Sequence, residues 1–438
     1  MTTSQTVQAS RSVLSFFGTV LLLTGALIMA GHSDFIRPEG VPWFMLGAGL
    51  SAAGYLLSVS CGRHRVLVFW IVTVGVRCIL LYSAPGDDVW RYIWEGQIQL
   101  EGFSPYLHPP ADPVLEGFRN PDWLKINHPG TSAIYPPLTQ LGLRLLAWMN
   151  PATWFFKTAM VVPDLVICLL LFLRFRVRRA LVYAWNPMVI YSFAGGGHFD
   201  AWFLLPLVAC WLLMDTKGDR APWLENRIEL AGAFLIGVSA AVKWVTLPIL
   251  GWLVWQRLRK REFGWAIMLL GFGLLPFLLA LSVFVLTVDG LGPLVPREFT
   301  MVTRGCELVP WIIEQGWPHT YESNSISLGA IALVSGLLVL TVRRFDRMVE
   351  LLIVALIVLG PSNHAWYFTW GLPFAVASRN WGSILLSLTG FTYFRLHMTL
   401  ALTGKWVLTG IERSILWGPP VLGWLEWLLI GRRSDGSR

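Results

Sequence analysis

Long apolar runs recur along the whole chain and are separated by short polar or basic segments. The runs have roughly 15 to 22 residues, enough for a helix to cross a bilayer core of about 30 Å with some tilt. The first three are Val13–Ala30, Val41–Ser60 and Val66–Tyr82. The pattern therefore predicts an all-α polytopic membrane protein, a helical bundle of about 12–14 transmembrane helices.

The basic residues between these runs predict the orientation of the chain. Gly62 to Arg65 is basic and follows the second run, which places that segment and the N-terminus in the cytoplasm and the loop after Tyr82 outside. The later basic runs fall on the cytoplasmic side if Leu138–Asn150 does not cross fully and Ile228–Gln256 folds back near Lys243–Pro248. Both termini are then cytoplasmic. These later runs are Arg174–Arg179, Arg257–Arg261, Arg343–Arg347, Arg379 and Arg432–Arg433.

Two long extracytoplasmic loops follow from this orientation. We expect one integral-membrane domain over 1–438, with a structured first loop at 83–135 and a second loop at 288–323. No repeat relates the two halves of the sequence by eye, and no segment between the runs is large enough to fold as a separate soluble domain.

Composition supports the membrane assignment and excludes other classes. Hydrophobic residues make up 55% of the chain, charged residues only 14%, and the mean hydropathy is +0.58. A soluble chain of this length could not hide that much apolar surface. The net charge of +8 comes from short runs between apolar segments, which favours an orientation signal over a nucleic-acid surface. The five cysteines show no metal-ligand spacing and are interpreted as core residues.

The first long loop carries the most informative polar residues. Asp87 and Asp88 stand just beyond the third apolar run, where acidic residues suit the start of a helix. On that helix Arg91 lies four residues from both Asp87 and Glu95. Trp90, Ile93, Trp94 and Ile98 form an apolar side suited to the membrane interface. Two interpretations remain open, namely a capped interfacial helix or an active-site loop in which one Asp is a general base.

Further candidate residues lie at the predicted outer ends of other apolar runs. His198 and Asp200 follow three glycines, and Lys243 interrupts an apolar run where a charge is costly. His364, Trp366 and Tyr367 form a polar and aromatic group that could stack on sugar rings or anchor the interface. In the first loop, Tyr106, His128 and Tyr135 lie in segments rich in proline and glycine that predict rigid turns. In the second loop, Arg297 and Arg304 are either phosphate ligands or solvated charges.

Taken together, these segments resemble the integral-membrane mannosyltransferases of the GT-C superfamily over roughly residues 80 to 375. The resemblance is to the bacterial polyprenol-phosphate-mannose-dependent enzymes and to GPI mannosyltransferase I. It rests on Asp87-Asp88 before an aromatic helix, Gly102-Phe103-Ser104-Pro105-Tyr106, Tyr135-Pro136-Pro137-Leu138, Asn186-Pro187 followed by Gly197-His198-Phe199-Asp200, Val242-Lys243, and His364-Ala365-Trp366-Tyr367, in which Ala365 replaces the usual proline.

The resemblance implies an inverting glycosyltransferase whose catalytic carboxylate, in the first outer loop, is Asp87 or Asp88. A polyprenyl-phosphate sugar, most simply mannose but also glucose or arabinose, would be the donor, and a lipid, glycan or protein the acceptor. Lys243, Arg91 or a loop arginine would stabilise the departing phosphate. A divalent metal is compatible with such a site but not implied. The alternatives are a transporter or flippase of lipid-linked sugars, with ionisable residues near the membrane midplane, and a non-catalytic partner in envelope glycan assembly.

Overall fold

A computed structural model describes residues 3–61, 64–215, 221–294 and 305–435, and within these ranges it is helical with no β-strand. This confirms the all-α prediction, while the number of membrane spans stays a prediction. The helices are α1 Thr3–Gly31, α2 Val41–Cys61, α3 Val66–Leu81, α4 Asp87–Leu100, α5 Pro137–Met149, α6 Thr153–Ala184, α7 Pro187–Ile190, α8 Ala201–Met214, α9 Pro222–Val242, α10 Leu247–Leu258, α11 Phe263–Val285, α12 Val309–Gly316, α13 Ser325–Thr341, α14 Phe345–Leu359, α15 Leu372–Ser378, α16 Trp381–Thr389, α17 Arg395–Thr403 and α18 Gly410–Asp435.

Four segments of the described chain are helical, long and apolar enough to cross a membrane. They are Val13–Gly31, Pro38–Cys61, Thr153–Ala184 and Phe263–Val285. Shorter apolar helices at Val66–Leu81, Ala201–Met214 and Ser325–Thr341 join them in the bundle. Because many large apolar side chains on these helices face outward, the exterior of the bundle suits a lipid environment. The described chain therefore has the helix lengths and apolar exterior typical of a helical membrane protein.

The first two helices pack closely through small residues. A Cβ atom added at Gly25 of α1 would lie 2.3 Å from the carbonyl oxygen of Gly47 in α2, and one added at Gly54 would lie 2.5 Å from that of Gly18. Helices in a bilayer gain little from burying apolar surface against each other, so close backbone approach through glycine is a main source of their association. These glycines therefore fix the α1–α2 hairpin.

The basic run at 174–179 lies at a sharp reversal within α6. Arg176 has a φ of 62° and a ψ of 178°, which breaks the helix. Arg174, just before the break, pairs with Asp215 at the end of α8. The chain after the break passes Tyr55, whose hydroxyl donates to the carbonyl of Val182, and reaches Gly195, which accepts from Ser83 beyond α3. The basic run and the first long loop thus lie at opposite ends of the bundle.

The predicted fold-back near Lys243 is confirmed. Helix α9 ends at Val242, a short 3₁₀ turn follows, and α10 runs back along α9. An ion pair between Arg257 and Glu229 joins the two arms at the far end of this hairpin. Lys243 therefore lies at the hairpin tip.

Helix α5 is short, as the sequence suggested. Its 13 residues correspond to about 20 Å, less than the thickness of a bilayer core of about 30 Å. It packs against α4, and Gly96 of α4 lies against the backbone of Leu143. The two helices form a cap over one end of the bundle.

The two long loops meet at this same end. The backbone N–H of Ser104 donates to Asp289, and the ring of Tyr106 packs edge to face on Phe284 at the end of α11. Residues 295–304 of the second loop, with the candidates Arg297 and Arg304, lie outside the described residues. The shared end agrees with the sequence prediction that both loops lie on one side.

The apolar side of α4 differs from its prediction. Trp94 and Ile98 pack with Leu115 and Ile126 of the following loop in a small core, with Trp90 and Trp123 against it. The loop folds back over this side because its short 3₁₀ helices, Pro113–Phe118 and Pro121–Lys125, carry their own apolar residues. The side predicted to face the membrane interface is thus covered by protein.

A charged pair inside the bundle was not predicted from sequence. Arg77 of α3 and Asp164 of α6 are both buried, and their side chains pair through two hydrogen bonds. Arg77 also donates to the backbone carbonyls of Thr73 and Ala184. Because burying a lone charge is very costly, the pair couples α3, α6 and the chain after the α6 break.

Replacing Arg77 tests this coupling. Arg77→Ala would leave Asp164 buried without its partner, so we expect the free energy of unfolding to fall by about 3–5 kcal/mol. The double variant Arg77→Met with Asp164→Leu should lose less, because no charge remains buried. Unfolding in detergent micelles measures both changes. Equal losses in the two variants would contradict this account.

Cysteine labelling tests the predicted sidedness. Glu116 in the first long loop and Lys260 between α10 and α11 are both exposed. We expect a membrane-impermeant maleimide to label Glu116→Cys in intact cells and Lys260→Cys only after permeabilisation. The unsubstituted protein gives the background of its native cysteines. The opposite pattern would reverse the orientation.

Candidate active site

The start of α4 is held against the chain segment that precedes α8. The N–H of Gly86 donates to the carbonyl of Gly196 at 2.9 Å. Lys157 of α6 fixes the approach to this point, because its ammonium donates to the backbone carbonyls of Leu80, Leu81 and Ser83 at the end of α3. Cations stabilise helix C-termini in this way. The contacts bring the Asp87–Asp88 pair next to the 195–200 segment.

The two carboxylates lie in different surroundings, since successive residues of a helix are about 100° apart. Asp88 is buried and accepts hydrogen bonds from the side chains of Asn127 and Tyr92 at 2.6 and 3.2 Å. Its carboxylate also lies 3.4 Å from Nδ1 of His198. Asp87 is exposed, and its carboxylate accepts from the N–H of Asp88.

These surroundings shift the two pKa values in opposite directions. Burial acts to raise the pKa of Asp88, but its interaction with the nearby His198 ring and the hydrogen bond from Asn127 outweigh burial and lower that pKa. Desolvation by the protein around it and the charge of Asp88 raise the pKa of Asp87 above its ordinary value. Asp88 is therefore held as an anion, whereas Asp87 is the better proton acceptor.

His198 reaches Asp88 because the backbone before it adopts an unusual path. A π-helical turn at Tyr191–Gly195 precedes it, and Gly197 has a φ of 74°, which favours glycine. A Cβ atom at Gly197 would lie 2.7 Å from Val89 of α4. Gly197 thus lets the side chain of Val89 lie directly against the backbone before His198.

Trp366 joins two histidines at this site. The ring of His198 stacks on Trp366 with centroids 3.5 Å apart, and His364 stacks on it at 4.5 Å. His364 also exchanges a hydrogen bond with the hydroxyl of Tyr393. Burial lowers the pKa of His364 to about 4, so this histidine is neutral at pH 7. The predicted His364–Tyr367 group therefore lies beside the Asp88 cluster.

Lys243 and Asp200 form the second part of the site. The Lys243 ammonium lies 2.7 Å from an Asp200 oxygen that also accepts from the indole N–H of Trp370. The rings of Tyr367 and Trp370 lie 4.5 and 4.8 Å from this ammonium, with those of Phe199 and Phe203 within 6 Å. The aromatic faces add cation–π attraction to the ion pair. Lys243 is thus a buried, compensated cation.

Arg91 organises the first loop. Its guanidinium donates to Glu95 and to the backbone carbonyls of four loop residues, which are Asn127, His128, Thr131 and Ser132. These contacts use its donors on protein groups, unlike the predicted role at the donor phosphate. By fixing the backbone of Asn127, Arg91 also positions the side chain that donates to Asp88.

The other loop candidates differ in their distance from the cluster. Tyr135 packs edge to face on Tyr92 and Phe199, at the edge of the site. The Tyr106 hydroxyl donates to the carbonyl of Tyr135, and its ring lies against the second loop. His128 is exposed, with a φ of 45°, and only its carbonyl is held by Arg91. The structure brings Tyr135 to the site but leaves the side chain of His128 at the surface.

Asn127, Trp370 and Lys157 were not among the predicted site residues. The Asn127-His128-Pro129 turn was visible in the sequence, but nothing in it indicated that the amide reaches Asp88 across 39 positions. Trp370 follows Tyr367 by three residues, so its place on the same side of a helical turn was a usable signal. The sequence around Lys157 gave no such signal. A single lysine in an apolar run is equally consistent with a side chain that extends to the membrane interface.

Metal binding and comparisons with known proteins add little to this picture. Among the residues that the structure describes, no group of three or more His, Cys, Asp or Glu side chains is placed to hold a metal ion. No protein-family model, curated protein or solved structure matches the chain. The resemblance to membrane mannosyltransferases therefore rests on the residues themselves.

The contact between the two loops depends on a histidine. His108 lies between Asp112 of its own loop and Asp289 of the second loop, at 2.8 and 2.7 Å. Arg119, which donates to the Asp112 carbonyl, is the neighbouring cation. Desolvation is the largest single effect and lowers the pKa of His108, but the hydrogen bonds and charges of Asp112 and Asp289 together outweigh it and raise that pKa above the ordinary value.

We therefore expect the loop contact to weaken as the pH rises. A raised folded-state pKa means that the contribution of His108 is complete below about pH 6.5 and is lost as the pH passes the folded pKa. Hydrogen exchange of residues 104–112, corrected for its intrinsic pH dependence, should show more protection at pH 6 than at pH 8.5. His108→Gln should remove the difference, and the control His128→Gln should keep it. Equal protection at both pH values in the unsubstituted protein would refute the prediction.

Proposed function

We propose that the protein is a glycosyltransferase that moves a hexose, in the first instance mannose, from a polyprenyl-phosphate donor to an acceptor on the extracytoplasmic face. The observation that carries the proposal is the cluster at one end of the bundle, in which Asp87, the fixed anion Asp88 and the cation Lys243 come together. A carboxylate base, an anion and a cation are the groups that displacement at an anomeric carbon requires.

Asp87 is the proposed base. It is exposed, so an acceptor hydroxyl can reach it, and its raised pKa suits proton transfer. The hydroxyl gives its proton to Asp87 while its oxygen forms the new bond to the anomeric carbon. The bond between that carbon and the phosphate oxygen breaks, and its electron pair leaves with polyprenyl phosphate. The configuration inverts, as the resemblance implies.

Asp88 has a different proposed role. Glycosyl transfer passes through a transition state with positive charge on the sugar ring. A buried carboxylate that three neighbours keep ionised, Asn127, Tyr92 and His198, would stabilise that charge without reorganising. The distinct surroundings of the two aspartates support separate functions.

Lys243 is the proposed partner of the departing phosphate. Of the four candidate cations, Arg91 is engaged by loop carbonyls, and the loop arginines Arg297 and Arg304 lie outside the described residues. Lys243 lies beside Asp200 at the same end as Asp88. Its pairing with Asp200 would hold the ammonium in position until the phosphate charge develops.

The location of the cluster favours a lipid-linked donor. Nucleotide sugars stay in the cytoplasm, so a site on the outer face needs a sugar carried across by a membrane lipid. A site at the end of an apolar bundle would lie near the bilayer surface, where the phosphate and sugar of such a lipid are found. A transporter would instead need ionisable groups lining a path, and the buried Arg77–Asp164 pair is closed by backbone carbonyls and by its own hydrogen bonds.

Transfer assays with carboxylate variants test the proposal. Purified protein in detergent would be incubated with labelled polyprenyl-phosphate mannose, glucose or arabinose and extracted membrane glycolipids. We expect transfer by the unsubstituted protein and a loss of about 100-fold or more in kcat for Asp87→Asn and for Asp88→Asn. Asp34→Asn, at an exposed aspartate in another loop, is the matched control. Lys243→Met should also lower kcat.

The pH profile separates the two aspartates. If Asp87 is the base, the acidic limb of kcat/KM lies above the ordinary aspartate pKa and disappears in Asp87→Asn. Activity that survives in both variants would exclude this loop as the catalytic one. Absence of transfer with every donor, with folding intact, would favour a transporter or a non-catalytic partner.

A further inference from the structure

A second concave site lies beside the carboxylates. A cavity of about 230 Å³ opens between α4 and the 120–126 segment of the first loop. Three indole rings and three side chains with amide or carboxylate groups line it, namely Trp90, Trp94, Trp123, Gln97, Asn120 and Asp122. The cavity is slightly smaller than the range of about 300–1,000 Å³ for drug-sized ligands. It therefore suits one or two rings rather than a lipid chain.

The cavity shares a helix face with Asp87. Trp90, Trp94 and Gln97 follow Asp87 at three, seven and ten residues, which places all four on one side of α4. On the other wall, Ile126 lines the cavity, and the next residue, Asn127, donates to Asp88. A ligand in the cavity thus extends toward the exposed carboxylate.

The lining has the chemistry that recognises carbohydrate. The apolar faces of sugar rings pack on flat aromatic surfaces, while amide and carboxylate groups bind hydroxyls. Trp123 is held in place, since its indole N–H donates to the carbonyl of Pro110. The indole N–H of Trp94 has no partner among the described residues. No hydrogen bond occupies the side-chain amide of Gln97 within the part of the chain that is described.

The charges of the lining favour a neutral ligand. Asp122 pairs with Lys125 at 2.8 Å, and Lys125 also lies over the ring of Trp90 at 4.1 Å. The lining itself contains Asp122 but no lysine or arginine among the described residues. Arg119 lies over the ring of Trp123 at 4.6 Å, but its guanidinium donates to the backbone carbonyls of Ala111 and Asp112. A phosphate would therefore meet the Asp122 carboxylate, while both nearby cations are engaged by protein groups. The donor phosphate therefore belongs elsewhere, at Lys243.

From this geometry we infer that the cavity between α4 and residues 120–126 binds the acceptor, and that the acceptor is a neutral glycan. The inference rests on the proposed glycosyl transfer and narrows it, because a lipid or protein acceptor without sugar would not use this lining. The terminal sugar lies toward Asp87, and the preceding ring packs on the tryptophans.

Direct saccharide binding tests the inference separately from catalysis. The full-length protein in lipid nanodiscs would be studied by saturation-transfer NMR with a linear mannose trisaccharide, its glucose counterpart and a trisaccharide that contains a uronic acid. We expect a neutral trisaccharide to bind and the acidic one to bind less well. Trp123→Ala and the milder Gln97→Ala should weaken binding by about tenfold or more. Trp148→Ala, at an exposed tryptophan of α5 outside the cavity, is the control and should bind normally.

Acceptor kinetics then distinguish failure of the inference from failure of the proposed function. Where transfer is observed, Trp123→Ala and Gln97→Ala should raise the KM for the saccharide acceptor by a similar factor. Transfer with an unchanged acceptor KM in both variants would contradict the proposed acceptor site but leave the proposed glycosyltransferase activity supported. Saccharide binding that depends on Trp123, but without transfer from any donor, would support the site and contradict the function. No binding of any trisaccharide by the unsubstituted protein would also overturn the site.

Discussion

The hydrogen bond between the N–H of Gly86 and the carbonyl of Gly196 is the contact on which the site depends. It joins the start of α4 to the segment that carries His198, 112 positions later in the sequence. A Cβ atom at Gly86 would lie 3.0 Å from that carbonyl and 3.5 Å from the His198 ring, so a larger residue would force the two backbones apart. With this contact in place, the ring of His198 lies next to the Asp88 carboxylate. Without it, the carboxylates would be an acidic pair at the start of an ordinary helix.

Compensated charge is the second constraint, and it acts through the whole bundle. Arg77 with Asp164, Lys243 with Asp200, and Arg413 with Glu307 are buried pairs whose members come from different parts of the chain. An unpaired charge in this apolar interior would be very costly, so each pair requires two elements to pack together. The same requirement that holds the helices in register also places a cation and an anion at the end of the bundle that carries the two long loops. Buried ion pairs therefore both hold the helices together and supply charged groups to the candidate site.

The sequence predicted the features that depend on local pattern, and it failed where distant residues meet. Apolar length gave the helical bundle, and the requirement that the later basic runs share one side gave the hairpin of α9 and α10. The Asp87–Asp88 pair and the glycines before His198 were recognisable because acidic helix starts and glycine runs have local causes. The partners were not recognisable. Arg91 looked like a ligand for phosphate until its loop carbonyls were seen, and the amphipathic side of α4 looked like a membrane face because nothing local reveals that residues 113–126 fold over it.

The fixed start of α4 has a consequence for how this loop can change. Because the helix is pinned at Gly86 and each residue turns it by about 100°, the rotation of α4 is set by the number of residues between the end of α3 and Gly86. Gaining or losing one residue there would turn Asp88 out of its pocket and bring a neighbour in. The length of this five-residue connection, Tyr82 to Gly86, is thus as much a part of the site as the two carboxylates.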